Sequence, residues 1–429
     1  MRKISYTVII EYIILLAITF ALGLFLFIVP PEHIRLNMLR ICVAFLGFLS
    51  FLLVCKKTSF KYDQTYSFAK KYILVTVVIS GFFVFYTSWL YDYTIYASLT
   101  LGIHYFWLLF SFGIIYVMNH EKNKNSFWKK LVVVTLLFLL VRMFAWISFN
   151  FGGGNLFVNF AQEYPDWKRN GLRRLIGGQT FQIAFIVILS DILGPKTCLK
   201  TLKIDSIRIR MGYFVLLFLF LYSVFITQAR SGIVILLVTF MWTFILTRRK
   251  VTTKIMLIMM TFAGFGILLV CGVFDFLFNS FMQTGRYWLS TEARLEGLVH
   301  FWGLFKNIGH HFALGYVADG YTTEHLFYRT SWLRHYLGDL GIISAFFRFG
   351  IFTIPIYGWL FGKAIKVTNK TIKIKSPYSA LITATSIYMI LSCIISNMYD
   401  AQAAFAAPFY VAIISYVDGE NKKMLRKRV

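Results

Sequence analysis

Residues 232–274 read GIVILLVTFMWTFILTRRKVTTKIMLIMMTFAGFGILLVCGVF, an apolar run, a short basic cluster (Arg248, Arg249, Lys250, Lys254) and a second apolar run. A bilayer core about 30 Å thick is crossed by a helix of roughly 20 apolar residues. The stretch therefore reads as two transmembrane helices joined by a basic loop. The same rhythm extends outward in both directions. Apolar windows occur near 7–30, 36–55, 72–91, 95–118, 131–150, 179–194, 211–229, 232–247, 255–278, 340–362, 378–398 and 403–417. The expectation is an all-α polytopic membrane protein, a single integral membrane domain over 1–429 with about 12 spans. The composition agrees. Hydrophobic residues are 58% of the 429, charged residues 14%, and mean hydropathy is +0.68. A soluble domain of this size could not keep that much apolar surface from water.

The first window runs too long for a signal peptide, and Pro30-Pro31 follows it without a small-residue cleavage site. It is read as a retained span. Placing both termini inside makes every inner segment basic: Arg2-Lys3, Lys56 to Lys71, His120 to Lys130, Lys196 to Arg210, Arg248 to Lys254, Lys363 to Lys375, and Lys422 to Arg428. These segments hold most of the 44 Lys and Arg, as the positive-inside rule requires. The net charge of +26 is thus spread over loops between spans, which argues against a nucleic-acid-binding face. Cys42, Cys55, Cys198, Cys271 and Cys393 fall in spans or inner loops, with no metal-ligand or Cys-x-x-Cys spacing. Neither a disulfide framework nor a metal is expected, and no phosphate-binding glycine loop points to ATP hydrolysis.

Chemistry is expected in the two long external loops, 151–178 and 277–338, because loops of that length in a compact protein usually carry function. They collect cations against the topological trend. In the second, Leu295, Leu298, Trp302 and Phe305 recur at helical spacing, with Glu296, His300 and Asn307 turned away. That pattern predicts an amphipathic helix along the membrane surface, followed by a turn through Gly315, Asp319 and Gly320. In the first, Arg173 and Arg174 stand side by side and could clamp a phosphate pair, or meet lipid headgroups. A third focus is the turn Thr227-Gln228-Ala229-Arg230-Ser231-Gly232, which sets one Arg between two spans. That Arg could serve a ligand or snorkel to headgroups. Glu11, Arg142, Asp191 and Arg348 lie within apolar runs, where ionisable groups mark cavities or pair with one another.

At these residues the chain resembles the O-antigen ligase and polymerase superfamily. The turn at 227–232 looks like that family's "S/T-x-S/A-R-G/S-G" turn. Arg294 through Trp302 to Phe312-Ala313-Leu314-Gly315-Tyr316 is similar to its loop Arg, interfacial helix and following turn. Arg329 to Gly341 resembles its "H-N-x-x-L…E-L-G" approach to the next span. The likeness covers roughly residues 130–400. It implies a GT-C-like helical bundle in a bacterial cytoplasmic membrane, with inverting, metal-independent chemistry and no cofactor. Its partners would be an undecaprenyl-diphosphate-linked oligosaccharide, membrane lipid and a chain-length regulator. One departure matters. Where the ligases carry His, this chain has Arg329-Thr330, and the nearest imidazole is His335. That favours a Wzy-type repeat-unit polymerase over a ligase.

Breaking a sugar–diphosphate bond releases charge that planar, permanently protonated guanidinium groups can hold. Arg230, Arg294 and Arg329 are expected in catalysis, with Glu296 or His335 as base. Arg173, Arg174, His311, Asp319, Glu324 and Arg334 are expected to contact substrate. The sequence does not choose the base among Glu296, Asp319, Glu324, His311 and His335. A rival from another class is a twelve-span lipid or oligosaccharide transporter. Transporters commonly show two related halves with midplane charges, and no internal repeat is evident here.

Overall fold

The computed structural model describes residues 5–21, 36–58, 63–152, 168–169, 172–173, 175, 180–194, 205–247, 255, 259, 289–307, 312–316, 337–399 and 404–427. Nearly all of these are helical. The helices are α1 (Tyr6–Ala21), α2 (Leu36–Lys57), α3 (Ser67–Tyr91), α4 (Ile95–Phe106), α5 (Phe110–Asn119), α6 (Glu121–Phe151) and α7 (Phe181–Leu193). They continue as α8 (Asp205–Tyr222), α9 (Arg230–Leu246), α10 (Leu289–Asn307), α11 (Ile342–Phe349), α12 (Trp359–Lys373), α13 (Ser379–Ile395) and α14 (Ala407–Arg426). One short antiparallel hairpin interrupts them, β1 (Lys168–Arg169) with β2 (Leu172–Arg173), pairing Lys168 with Arg173.

The chain is a helical membrane protein. Among the described residues, four helical stretches are long and apolar enough to cross a bilayer: Met38–Lys57, Gln64–Tyr91, Ile95–Asn119 and Ser126–Phe151. A bent pair, Ile342–Phe352 with Ile354–Lys373, raises that to five, and shorter apolar helices include Phe181–Leu193, Ser231–Leu246 and Ser379–Ile395. Each apolar window of the sequence carries helix in its described residues, although most of 255–278 lies outside them.

The core sits around α14 and the α4–α5 pair. Every residue from Ala407 to Val417 is buried, so this short window is wrapped by protein rather than lipid. The outer helices show the opposite face. On α3, Leu74, Val78, Phe82, Phe85 and Trp89 form an exposed stripe, while Tyr72, Ser80, Phe83 and Thr87 point inward. An apolar stripe left outward at three- and four-residue spacing suits lipid, not water. Small residues allow close approach inside: a Cβ on Gly419 of α14 would lie 2.6 Å from the Thr65 Cα.

The window 340–362 departs from a straight span. Its two halves meet at 114°. Gly350, with φ +55, ends α11, and Pro355 contributes no N–H to the following turn. At membrane depth the carbonyls freed by a break need partners within the protein. They have them. Thr353 donates to the Ala345 carbonyl (2.8 Å), the Gly350 N–H to Phe346, and the Tyr72 hydroxyl to Ile356 (2.7 Å). The Leu314 N–H donates to Phe347 (2.8 Å) and the Gly315 N–H to Arg348 (2.9 Å). The last carbonyls of α11 are therefore capped partly by residues 312–316, a segment of the long loop 277–338.

Candidate functional site

The segment Phe312–Tyr316 is a short extended strap set into the bundle between α3 and α11. Ala313, Leu314 and Tyr316 are fully or almost fully buried. Tyr86 donates to the Ala313 carbonyl (2.7 Å) and Tyr91 to the Leu314 carbonyl (2.8 Å). The Tyr316 N–H donates to Thr87 Oγ1 (2.8 Å), and its hydroxyl pairs with Ser80 Oγ (2.5 Å). Gly315 adopts φ +67, and a Cβ there would stand 2.5 Å from Thr87 Oγ1. Gly350 is equally constrained, its absent Cβ lying 2.3 Å from the Phe312 carbonyl oxygen. The sequence suggested a turn here, following the interfacial helix. Instead the strap is core: Ala313, Leu314 and Tyr316 are buried around Gly315, whose left-handed backbone glycine adopts without strain.

α10 leads into this strap and packs on the adjoining end of the bundle. Phe301 is fully buried and, with Leu298, Leu304 and Phe305, contacts Leu314, Leu337, Leu340 and Phe347. The helix exists as its periodicity predicted, but the buried face is rotated. Leu295, Val299 and Trp302 are exposed, with Lys306 over the Trp302 ring at 5.8 Å. Glu296, expected to turn away, has its Oε2 enclosed with no hydrogen-bond partner among the described residues. α10 is thus apolar on two sides, one against the bundle and one outward, with Glu296 and His300 between them. Two apolar faces suit a helix lying in a membrane interface.

A second cluster gathers the turn at 227–232. A π-helical turn, Ser223–Thr227, ends α8, and Gln228 (φ 49) reverses the chain. Ala229 is extended, and Arg230 opens α9. The Leu175 N–H donates to the Ile226 carbonyl (3.0 Å), joining the loop 151–178 to this turn. The hairpin strand holding Arg173 runs beside α6. On α6, Arg142 is buried, lies over the Phe138 ring at 5.3 Å and faces the Tyr222 hydroxyl. The fold therefore brings the Arg173 and Arg230 segments together through backbone contact.

The positions of the expected site residues divide accordingly. Arg294 is exposed at the start of α10, and Glu296 lies one residue pair beyond it. Arg230 and Arg173 are placed by their backbones alone, their side chains lying outside the described residues. Arg174, His311, Asp319, Glu324, Arg329, Arg334 and His335 also lie outside them. Among the charges in spans, Glu11 is held by Lys130 at 2.7 Å, a cation the sequence had assigned to topology. Arg348 is buried beneath the strap, and both it and Arg40 are close enough to the buried His104 to act on it electrostatically. Sequence reading placed Arg40 within a span but gave it no partner, and passed over His104. A lone His and a lone Arg more than sixty residues apart carry no spacing signal, and only helix packing joins them.

Compared with protein-family profiles, curated proteins and solved structures, the chain shows no match.

Proposed function

We propose that the protein is a polymerase of undecaprenyl-diphosphate-linked oligosaccharide repeat units, working at the outer face of a bacterial cytoplasmic membrane. In this reading it has about twelve spans in a GT-C-like bundle with both termini inside. The single observation that carries the reading is α10, which lies against the bundle and is tied to the broken span α11 by the strap 312–316. Such a helix covers chemistry done where a lipid-borne substrate meets water.

The reaction would be one displacement at the anomeric carbon. The acceptor hydroxyl oxygen forms the new bond, the bond to the diphosphate oxygen breaks, and the hydroxyl proton passes to a base. Arg230 and Arg294, with Arg329, Arg173 and Arg174, would hold the departing diphosphate, where charge develops. Glu296 suits the base, since its enclosed Oε2 lacks a donor that an acceptor hydroxyl would supply. The arrangement calls on no cofactor or metal.

The test uses the purified protein in vesicles with lipid-linked repeat units alone. A ladder of longer lipid-linked glycans is expected, and Arg230→Ala with Arg294→Ala should reduce it at least a hundredfold, a loss of about 3 kcal/mol or more of transition-state binding. Transfer only to a separate acceptor would make the protein a ligase. Substrate movement between leaflets, unaffected by these substitutions and without a ladder, would make it a transporter.

A further inference from the structure

The end of the bundle opposite α10 carries a cleft of about 460 Å³. Gln64 and Ser67 at the start of α3 form one wall, Lys370 near the end of α12 another, and Lys422, Leu425 and Arg426 of α14 the third. The volume falls within the range of small-ligand sites, about 300–1,000 Å³. Three of its six lining residues are cationic, and none is acidic.

The carboxylate bonded to Lys422 is already shared with a second cation. Asp418 is almost fully buried and binds Lys363 and Lys422, each at 2.8 Å. One carboxylate between two ammonium groups leaves an excess of positive charge, to which Lys370 and Arg426 add. The guanidinium is also held in place. With its amide oxygen turned toward Arg426, Gln64 accepts from both terminal nitrogens at 3.0 and 2.7 Å. An oriented guanidinium beside the Lys370 and Lys422 ammonium groups is a donor set that suits phosphate oxygens. Leu425 adds an apolar wall on the same helix face.

The geometry points to a binding site for a phosphate-bearing anion in this cleft, supplied either by an anionic phospholipid headgroup or by a free phosphate compound. It lies among the basic segments Lys363–Lys375 and Lys422–Arg426 and is independent of the glycan-transfer reading.

The full-length protein would be purified in nanodiscs containing phosphatidylglycerol and phosphatidylcholine, and retained lipid counted by native mass spectrometry. In parallel, inorganic pyrophosphate would be titrated in detergent by calorimetry. The wild-type protein should retain phosphatidylglycerol over phosphatidylcholine, or bind pyrophosphate. The double substitution Lys370→Gln, Arg426→Gln should weaken whichever is bound at least tenfold. Lys370→Arg with Arg426→Lys should restore most of it, which a folding defect would not allow. Lys423→Gln, outside the cleft and paired with Glu420 at 2.9 Å, should change nothing. Loss of lipid retention alone identifies the headgroup as the source, and loss of pyrophosphate binding alone identifies a soluble ligand. Equal binding of both probes by wild type and the double variant overturns the proposal, as does an equal loss in the Lys423→Gln control.

Discussion

Replacing Gly315 by Ala places a methyl group where the strap has no room. The backbone there is left-handed, φ +67, which costs an L-residue about 1–2 kcal/mol. The new Cβ would stand 2.5 Å from Thr87 Oγ1, so the hydroxyl must move away. That movement breaks its bond to the Tyr316 N–H, and a buried N–H left without a partner costs about 1–3 kcal/mol more. The strap would be weakened by roughly 2–5 kcal/mol, equivalent to at least about a thirtyfold rise in its open population. Hydrogen–deuterium exchange reads this directly, because the Leu314, Gly315 and Tyr316 amides are all donors in the closed strap. They should exchange at least thirtyfold faster, while amides in the buried helix α14 keep their rates. Thr87→Ser, which keeps the acceptor, should leave the strap amides nearly unchanged. Unaltered strap exchange in Gly315→Ala would refute the argument that this segment is locked by the close approach of α3.

Two further outcomes follow from the packing. Phe301→Ala empties a fully buried site between α10 and α11 and should lower the thermal stability of their junction by about 3–5 kcal/mol, seen as protease cleavage within 289–307 at lower temperature than in the wild type. Asp418 supplies a pH dependence. Burial alone would raise its carboxyl, but the hydrogen bonds and charges of Lys363 and Lys422 outweigh that and hold it below the ordinary range. A depressed carboxylate stabilises the fold above its unfolded value, near pH 4, and loses that contribution as pH falls further through the folded value. The melting midpoint should therefore drop less between pH 5 and pH 3 in Asp418→Asn than in the wild type. An identical drop in both would show that the Lys363–Asp418–Lys422 contact adds nothing.

Much of the architecture was legible in the chain because hydropathy and charge are local signals. The basic loops and apolar windows located the helices, including α10, whose apolar residues repeat at helical spacing. Its orientation was not legible. Leu295 and Trp302 were as apolar as Phe301, so periodicity could not decide which side faced protein. The bundle decided it by offering Leu314, Leu337 and Phe347 to Phe301. Partners of intramembrane charges were equally hidden: Glu11 meets Lys130 across 119 positions.

The sequence by itself determined that this chain is a bundle of membrane helices joined by basic loops, since a bilayer sorts residues by polarity alone. The tertiary structure decided that the span at 340–362 is broken and that residues 312–316, distant in sequence, complete it. Backbone carbonyls at membrane depth must find donors inside the protein, and only the folded chain shows which N–H groups reach them.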